Sequence, residues 1–368
     1  SKKAIWFWTI DRWLFSSFLI LISLGAFFIM ASGTKIAANL DLDTHFFTIR
    51  HIFFLIFGFF LVLFFSQINE KFVKVISIIG LILCLFLMGL ALTNGVSAKG
   101  AQRWVNIFGQ SFQPSEFLKP FYIVVNAWFL YLWKKNSAFQ GWLWSILTLL
   151  LIVFLLLLQP DLGMTFLIIS VWIVQIFLSG VSIKLFLLFI SSIPIILVIA
   201  YYNFDHVFHR INVFIDGTSF QSLQAIKSFQ TGGFFGKGLG EGFYKNNLPD
   251  AHTDFIFAVI AEEFGMVICC IIIMLYAVII FRSLLLAANG KNLFFILAIS
   301  GLAFLFGIQS IIHISSNIGI SPTKGVTLPF LSYGGSSTIS SSILIGILIT
   351  LTRKQIDFNE YKNNLDEK

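Results

Sequence analysis

Charge is scarce in this chain. Asp, Glu, Lys and Arg make up 11% of its 368 residues, against 58% hydrophobic residues, and the mean hydropathy is +0.91. That balance excludes an ordinary water-soluble domain, in which about a quarter of the residues are charged. Cysteine is nearly absent as well. Cys84, Cys269 and Cys270 all lie inside apolar runs, with neither metal-ligand spacing nor an extracellular pair to bridge, so a zinc motif and a disulfide scaffold are both excluded. They read as packing residues. Segments of alternating polarity are missing, and with them a closed β-barrel. No repeat of fixed period is visible, and no matched pair of Gly/Pro-broken helices marks an inverted-repeat transporter.

Apolar runs are what the sequence has in quantity. Each is about twenty residues long, enough to cross a hydrocarbon core of roughly 30 Å as a helix, and short polar breaks separate them. The expectation is an all-α polytopic membrane protein with ten spans, at 13–32, 47–66, 73–92, 115–133, 142–158, 163–179, 183–202, 253–281, 293–315 and 336–351. Residues 1–368 are expected to form one membrane domain, with 203–252 as its large extracytoplasmic loop. The first run is too long for a signal-peptide core and ends in no small-residue cleavage pattern, so it is expected to stay in the mature chain.

An even number of spans puts both termini on one side. The breaks on that side hold Lys2, Lys3, Arg12, Lys71, Lys74, Lys134, Lys135, Lys184, Arg282, Lys291, Arg353 and Lys354, which makes it cytoplasmic by the positive-inside rule. The formal charge of +7 is therefore read as topology before any polyanionic partner is invoked. The outer breaks are longer and richer in Gly, Pro and aromatic residues. Function concentrates on such loops, so chemistry is expected on the outer face.

A charged side chain near the bilayer centre costs at least about 2.5 to 3.5 kcal/mol, so each one needs a reason. Glu116 and Lys119 stand three residues apart on the fourth span and read either as a self-neutralising ion pair or as part of a site. Asp161, in "QPDLG", reads as a helix N-cap or as a functional acid. In "DAHTDFIFAVIAEEFG", Asp254 is expected near the first turn of the eighth span, at the positive end of the helix dipole. At about 1.5 Å per residue Glu262 would lie roughly 12 Å deeper, approaching mid-membrane and too far away to relay a proton. Glu262 and Glu263 are expected to be structural anchors, at least one of them pairing with a cation or a backbone donor from another span, or staying protonated.

The stretch "QTGGFFGKGLGEG" lacks P-loop spacing and follows no strand, so it does not read as a nucleotide site. Its glycines permit sharp turns and close backbone approach. Arg210, Lys227, Lys237 and Lys245 would suit a diphosphate-bearing substrate, and solvated surface cations would look the same.

The motifs "AKGAQRW", "QPSEFLK", "QPDLG", "GGFFGKGLGEG", "LPDAHTDFIFAVIAEEFG" and "SPTKGVTLPFLSYGGSS" occur in this order over nearly the whole chain. Together they resemble the SEDS family of polytopic cell-wall proteins, and the Thr-Lys pair before the glycine of the last motif resembles its division branch more than its rod-elongation branch. The resemblance implies a peptidoglycan glycosyltransferase that polymerises lipid II at the outer face of the cytoplasmic (inner) membrane, at the division septum. It implies that Asp254 is the essential aspartate, read here as the base that accepts the acceptor hydroxyl proton. Lys119 corresponds to a family lysine. With Glu116, Arg103, Arg210 and Lys324 it is assigned to substrate binding, the cations stabilising charge on the leaving diphosphate. Asp161 joins Glu262 and Glu263 as supporting residues. Met164 and Asp250 depart from the residues common in the family, Thr and Glu, without touching a core motif.

No cofactor is evident. A divalent metal could accompany the diphosphate, but no carboxylate cluster has convincing ligand spacing. The implied partners are lipid II, a class B penicillin-binding protein acting as septal transpeptidase, and divisome regulators, with no nucleic acid. A lipid II flippase, an elongation-type glycosyltransferase and a scaffold that only recruits the transpeptidase are the alternatives.

Overall fold

The computed structural model of the chain describes residues 2–353 apart from 40, 99–100, 108, 137, 185, 188–190, 192–194, 196–197, 199–200, 203–204, 218, 291 and 323–324. Much of the seventh predicted span and Lys324 thus lie outside the described residues, as does the side chain of Arg210.

A short α1, Lys2–Thr9, precedes the apolar helices α2 (Arg12–Asn39), α3 (Phe46–Gln67), α4 (Glu70–Asn94), α5 (Pro114–Lys135), α6 (Gly141–Leu158) and α7 (Leu162–Leu178). The outer segment contributes α8 (Asp205–Ile215) and α9 (Phe220–Gly232), and the chain closes with α10 (Ile256–Ala288), α11 (Leu293–Asn317) and α12 (Gly335–Thr352). Seven of these, α2, α3, α4, α6, α10, α11 and α12, are long and apolar enough to cross a membrane. Helix α7 has 17 residues, and α5, with Glu116 and Lys119 inside it and two lysines at its end, is not among the seven. These nine helices fall on the nine predicted spans other than the seventh. Local capping helps to set their starts: Asn69, Asp161 and Asn292 each accept a backbone N–H at the head of α4, α7 and α11.

One outer break that reads as loop is a small antiparallel sheet, β1 (Val96–Ala98), β2 (Ala101–Ile107) and β3 (Gln110–Phe112), with Val105 opposite Phe112 and Ile107 opposite Gln110. Gly109, at φ +77°, makes the second turn. Strands of three to seven residues beside long apolar runs leave too short an alternation to stand out in sequence.

Helix α12 sits at the centre. It is buried at almost every position although Ser336, Ser337, Thr338, Ser340, Ser341 and Ser342 fill its first half. Small hydroxyl residues let backbones approach closely inside a membrane bundle. A Cβ on Gly58 of α3 would lie 2.3 Å from Ser342 Oγ, and on α5 the Glu116 carbonyl accepts the Ser340 hydroxyl at 2.6 Å.

Between α11 and α12 the chain folds back into the bundle as a non-helical stretch around Val326–Leu331, half-buried at Val326 and Thr327 and buried from Leu328 onward. Carbonyls without partners are costly in an apolar interior, and here side chains of other helices supply the donors. Val326 O meets His313 Nδ1 at 2.8 Å, Thr327 O accepts Gln309 Nε2 at 3.0 Å, Pro329 O accepts the Tyr276 hydroxyl at 2.5 Å, and Phe330 O meets His51 Nε2 at 3.1 Å. Gly25 of α2 completes the enclosure, since a Cβ there would lie 2.1 Å from Phe330 O.

The eighth predicted span is not one continuous helix. Gly265 interrupts α10 with φ 79° and ψ 179°, and the glycine-rich turn docks backbone to backbone on the break. Met266 N donates to Gly233 O at 2.9 Å, Val267 N to Phe234 O at 3.2 Å, Lys237 N to Glu262 O at 2.9 Å and Gly238 N to Glu263 O at 3.0 Å. A Cβ on Gly236 would lie 2.1 Å from Glu263 O, so only glycine allows this approach. The helix that carries Glu262 therefore ends two residues after Glu263, and the apolar run continues from Met266 on the other side of the break. Residues 255–263 are buried, and large apolar side chains become exposed on α10 only from Met266 onward.

Candidate active site

Asp254 belongs to a turn, not to a helix. Asp250 starts it at φ 54°, a conformation Asp tolerates better than most side chains, and its carbonyl accepts Thr253 N and Asp254 N, both at 3.0 Å. Helix α10 begins only at Ile256, and its first turn holds no acid. The span expected to start at Thr253 becomes helical three residues later, and Asp254 lies two positions before the helix.

The N-cap residue Phe255 has no side-chain cap bond to offer, and α11 supplies one from outside. Asn317 Oδ1 accepts Ala258 N at 3.0 Å, while its Nδ2 donates to Asp254 O at 2.9 Å and to His313 O at 2.8 Å. From the other side, Ser332 Oγ donates to Thr253 O at 2.7 Å and Tyr333 N to His252 O at 2.8 Å. The His252 ring packs 4.5 Å from Phe47 and 5.3 Å from Tyr333. The turn is thus fastened by its backbone, which leaves the Asp254 carboxylate to be aimed. It points toward Gly325, whose Cβ position would lie 4.0 Å from Oδ2, and it is partly exposed.

A second set of charges gathers at the head of α5. Lys119 Nζ lies 2.8 Å from Glu116 Oε2 and donates to Gln309 Oε1 at 3.0 Å, all three side chains being buried. On β2, Arg103 donates to Gln159 O at 3.0 Å and to Pro160 O, and its guanidinium lies 3.6 Å from Asp161 Oδ2. Asp161 caps α7 by accepting Met164 N at 3.2 Å. Burial pushes the Asp161 carboxyl above the usual carboxylate range, opposed chiefly by Arg103, and the charges of Glu116 and Lys119 also reach it. The structure therefore brings Arg103, Glu116, Lys119 and Asp161 into one electrostatic cluster of two cations and two acids.

Three residues absent from the sequence expectations join the two parts. Gln309, His313 and Asn317 follow one another at intervals of four on α11, on one face. Gln309 bridges Lys119 and Thr327 O, His313 holds Val326 O, and Asn317 holds the Asp254 turn. Their spacing, Gln-x-x-x-His-x-x-x-Asn inside an apolar span, was a signal available in the sequence.

Glu262 and Glu263 hold the outer segment, which corrects the expectation of a partner on another span. Glu262 accepts Phe243 N, Tyr244 N and Lys245 N, each at 2.8 Å, and Ser228 Oγ at 3.4 Å. Glu263 pairs with the Lys245 ammonium and accepts Gly240 N at 3.1 Å. Glu262→Gln leaves one of these oxygens replaced by a donor that faces an N–H. A loss of about 2 kcal/mol or more is expected, since hydrogen bonds to charged groups are worth about 1.5 to 3 kcal/mol each. The measurement is limited proteolysis with thermal unfolding in detergent: cleavage at 236–245 should precede helix loss, and an unchanged cleavage pattern would refute the anchoring role.

Among the described residues no three His, Cys, Asp or Glu side chains come together as a metal site.

Comparison with known proteins adds to this geometry. Residues 11–356 match the FtsW/RodA/SpoVE family, described as cell cycle protein. A relative from Caulobacter vibrioides, the probable peptidoglycan glycosyltransferase FtsW, is 35% identical over 96% of this chain and 91% of its own length. Its counterpart from Buchnera aphidicola is 35% identical over 94% and 93% of the two chains. Among solved structures, a chain from a peptidoglycan synthase complex superposes with a TM-score of 0.76 at 24% identity, covering 93% of this chain and 97% of its own. The rod shape determining protein RodA of Thermus thermophilus gives 0.69, also at 24% identity, covering 94% and 98%, and these two likenesses establish the fold.

Proposed function

The chain belongs to the FtsW/RodA/SpoVE family of cell cycle proteins, and from that premise we propose that this peptidoglycan glycosyltransferase polymerises lipid II at the outer face of the cytoplasmic membrane during septal wall synthesis. The observation that carries the reading is the fastening of Asp254: a carboxylate on a rigid turn, aimed at the segment containing Gly325, at the outer end of a polar stripe that leads to Lys119.

The reaction joins two membrane-anchored glycans. The 4-hydroxyl of the acceptor GlcNAc attacks the anomeric carbon of the donor sugar, the bond from that carbon to the diphosphate oxygen breaks, and the polyprenyl diphosphate leaves with the electron pair. Asp254 takes the hydroxyl proton and later releases it to water, a step that requires a fixed base within hydrogen-bonding reach. Arg103 and Lys119 are assigned to the charge that grows on the diphosphate, joined in this proposal by Arg210 and Lys324. A class B penicillin-binding protein would crosslink the strands.

The direct test is polymerisation of purified lipid II by the detergent-solubilised protein with its cognate class B partner, with and without a chelator. Glycan formed in detergent, where there is no bilayer to cross, supports the enzyme. Translocation in vesicles with no polymer under any condition would instead establish a flippase.

Asn317→Ala tests the positioning of the base. Removing its bond to Asp254 O and its cap on Ala258 N frees Asp254 to shift, and a misplacement of about 1 Å can cost on the order of 10²-fold. The expected result is a fall in kcat with KM for lipid II little changed, and a displaced acid limb of the kcat–pH profile. A lower thermal stability with kcat and pH profile intact would reduce Asn317 to a helix cap.

A further inference from the structure

The glycine-rich turn carries a surface that the proposed reaction does not use. Phe234 and Phe235 are 73% and 85% exposed, and Leu239 and Phe243 in the same segment are exposed too. Contiguous apolar side chains left uncovered on an outer loop mark a contact surface.

The backbone fixes where that surface stands. The bonds from Met266 N to Gly233 O and from Val267 N to Phe234 O hold the two phenylalanines level with the first exposed residues after the α10 break. No side chain intervenes, since a Cβ on Gly265 would lie 2.4 Å from Phe234 O. From this level down, α10 presents Met266, Val267, Ile271 and Met274 outward, the face of a helix that meets lipid. Phe27 of α2, also exposed, has its ring 5.5 Å from Phe264 just above the break. The same turn ends in an exposed lysine, Lys237, and Lys227 on α9 is exposed as well. Rings at the level where apolar helix surface begins, with an ammonium beside them, form the pattern found at a membrane–water interface.

We infer that the turn 233–239 is seated in the outer leaflet, with Phe234 and Phe235 among the upper acyl chains and Lys237 at the phosphates. The occupant of this surface is phospholipid, because the patch continues the lipid-facing side of α10 and pairs its apolar tip with a cation. The turn then sets the height of the whole outer segment against the bilayer, through the backbone bonds it makes to residues 262–267.

The experiment is nitroxide scanning of the full chain in vesicles of phosphatidylcholine and phosphatidylglycerol, after replacing Cys84, Cys269 and Cys270 by Ala. Labels are placed singly at Phe234→Cys, Phe235→Cys and Leu239→Cys, with Met274→Cys as the lipid reference and Glu241→Cys as the reference within the outer segment. The ratio of oxygen to nickel-chelate collisions at 234 and 235 is expected to exceed that at 241 several-fold and to approach that at 274. A nickel-accessible label at both positions would put the turn in water and overturn the inference. A label shielded from both reagents would overturn it too, by showing that protein, from a second copy or a partner, covers the patch.

Discussion

Asp254→Asn is expected to lower lipid II polymerisation by about 10²- to 10⁴-fold, the usual contribution of a positioned general base, while leaving the protein folded. The second half of that expectation comes from the way the turn is held. The bonds that tie residues 252–254 to α11 and to the segment before α12 run through backbone atoms of the turn: Asn317 takes Asp254 O, Ser332 takes Thr253 O, and Tyr333 N takes His252 O. Asn preserves shape and removes only basicity. Turnover should collapse with an unchanged thermal midpoint and unchanged lipid II binding. A well-folded Asp254→Asn protein that still makes glycan at the parental rate would end the case for a general base here.

The second large effect is expected at Lys119. Taken alone, Lys119→Met strands Glu116 as a buried carboxylate, and breaking a buried pair from one side costs about 3 to 5 kcal/mol. Loss of activity in that variant would be ambiguous. The double variant Glu116→Gln/Lys119→Met removes both charges and should recover most of the lost stability, since neutral replacements of a buried pair are often tolerated. Polymerisation should remain depressed by about 10²- to 10³-fold, the scale reported for loss of one electrostatic stabiliser of a transition state. Recovery of activity together with stability would make the pair purely structural and move the diphosphate contact to Arg103 or to residues of the outer segment.

Much of the bundle was legible because lipid imposes a simple rule: a helix must be apolar for about twenty residues, and so the runs mark themselves. The same rule explains the misses. Helix α10 reads as one span because Phe264, Met266 and Val267 are as apolar as their neighbours, and the break depends on Gly265 receiving backbone from a turn thirty residues earlier in the chain. The donors to Glu262, the N–H groups of Phe243, Tyr244 and Lys245, carry no signature in side-chain identity. Glu116 and Lys119 were legible as neighbours from their spacing of three, whereas the link from Lys119 to Asp254 was not. That link runs through Gln309 and Asn317, polar residues common enough that only their register on one helical face distinguishes them.

The non-helical stretch around Val326–Leu331 also bears on the order in which the chain can be completed. Its carbonyls are met by His51, Tyr276, Gln309 and His313, which arrive on one helix made early in synthesis and two made late. Until α3, α10 and α11 have converged, the stretch has no set of donors that would let it leave water for an apolar interior. It behaves as a bolt shot last: earlier spans can insert one by one, but Ser332 and Tyr333 can secure the Asp254 turn only when the final hairpin is home. A chain still short of that step would have its membrane helices and lack a fastened Asp254 turn, so if that turn carries the proposed base, immature copies would stay silent while lipid-linked sugar is all around them.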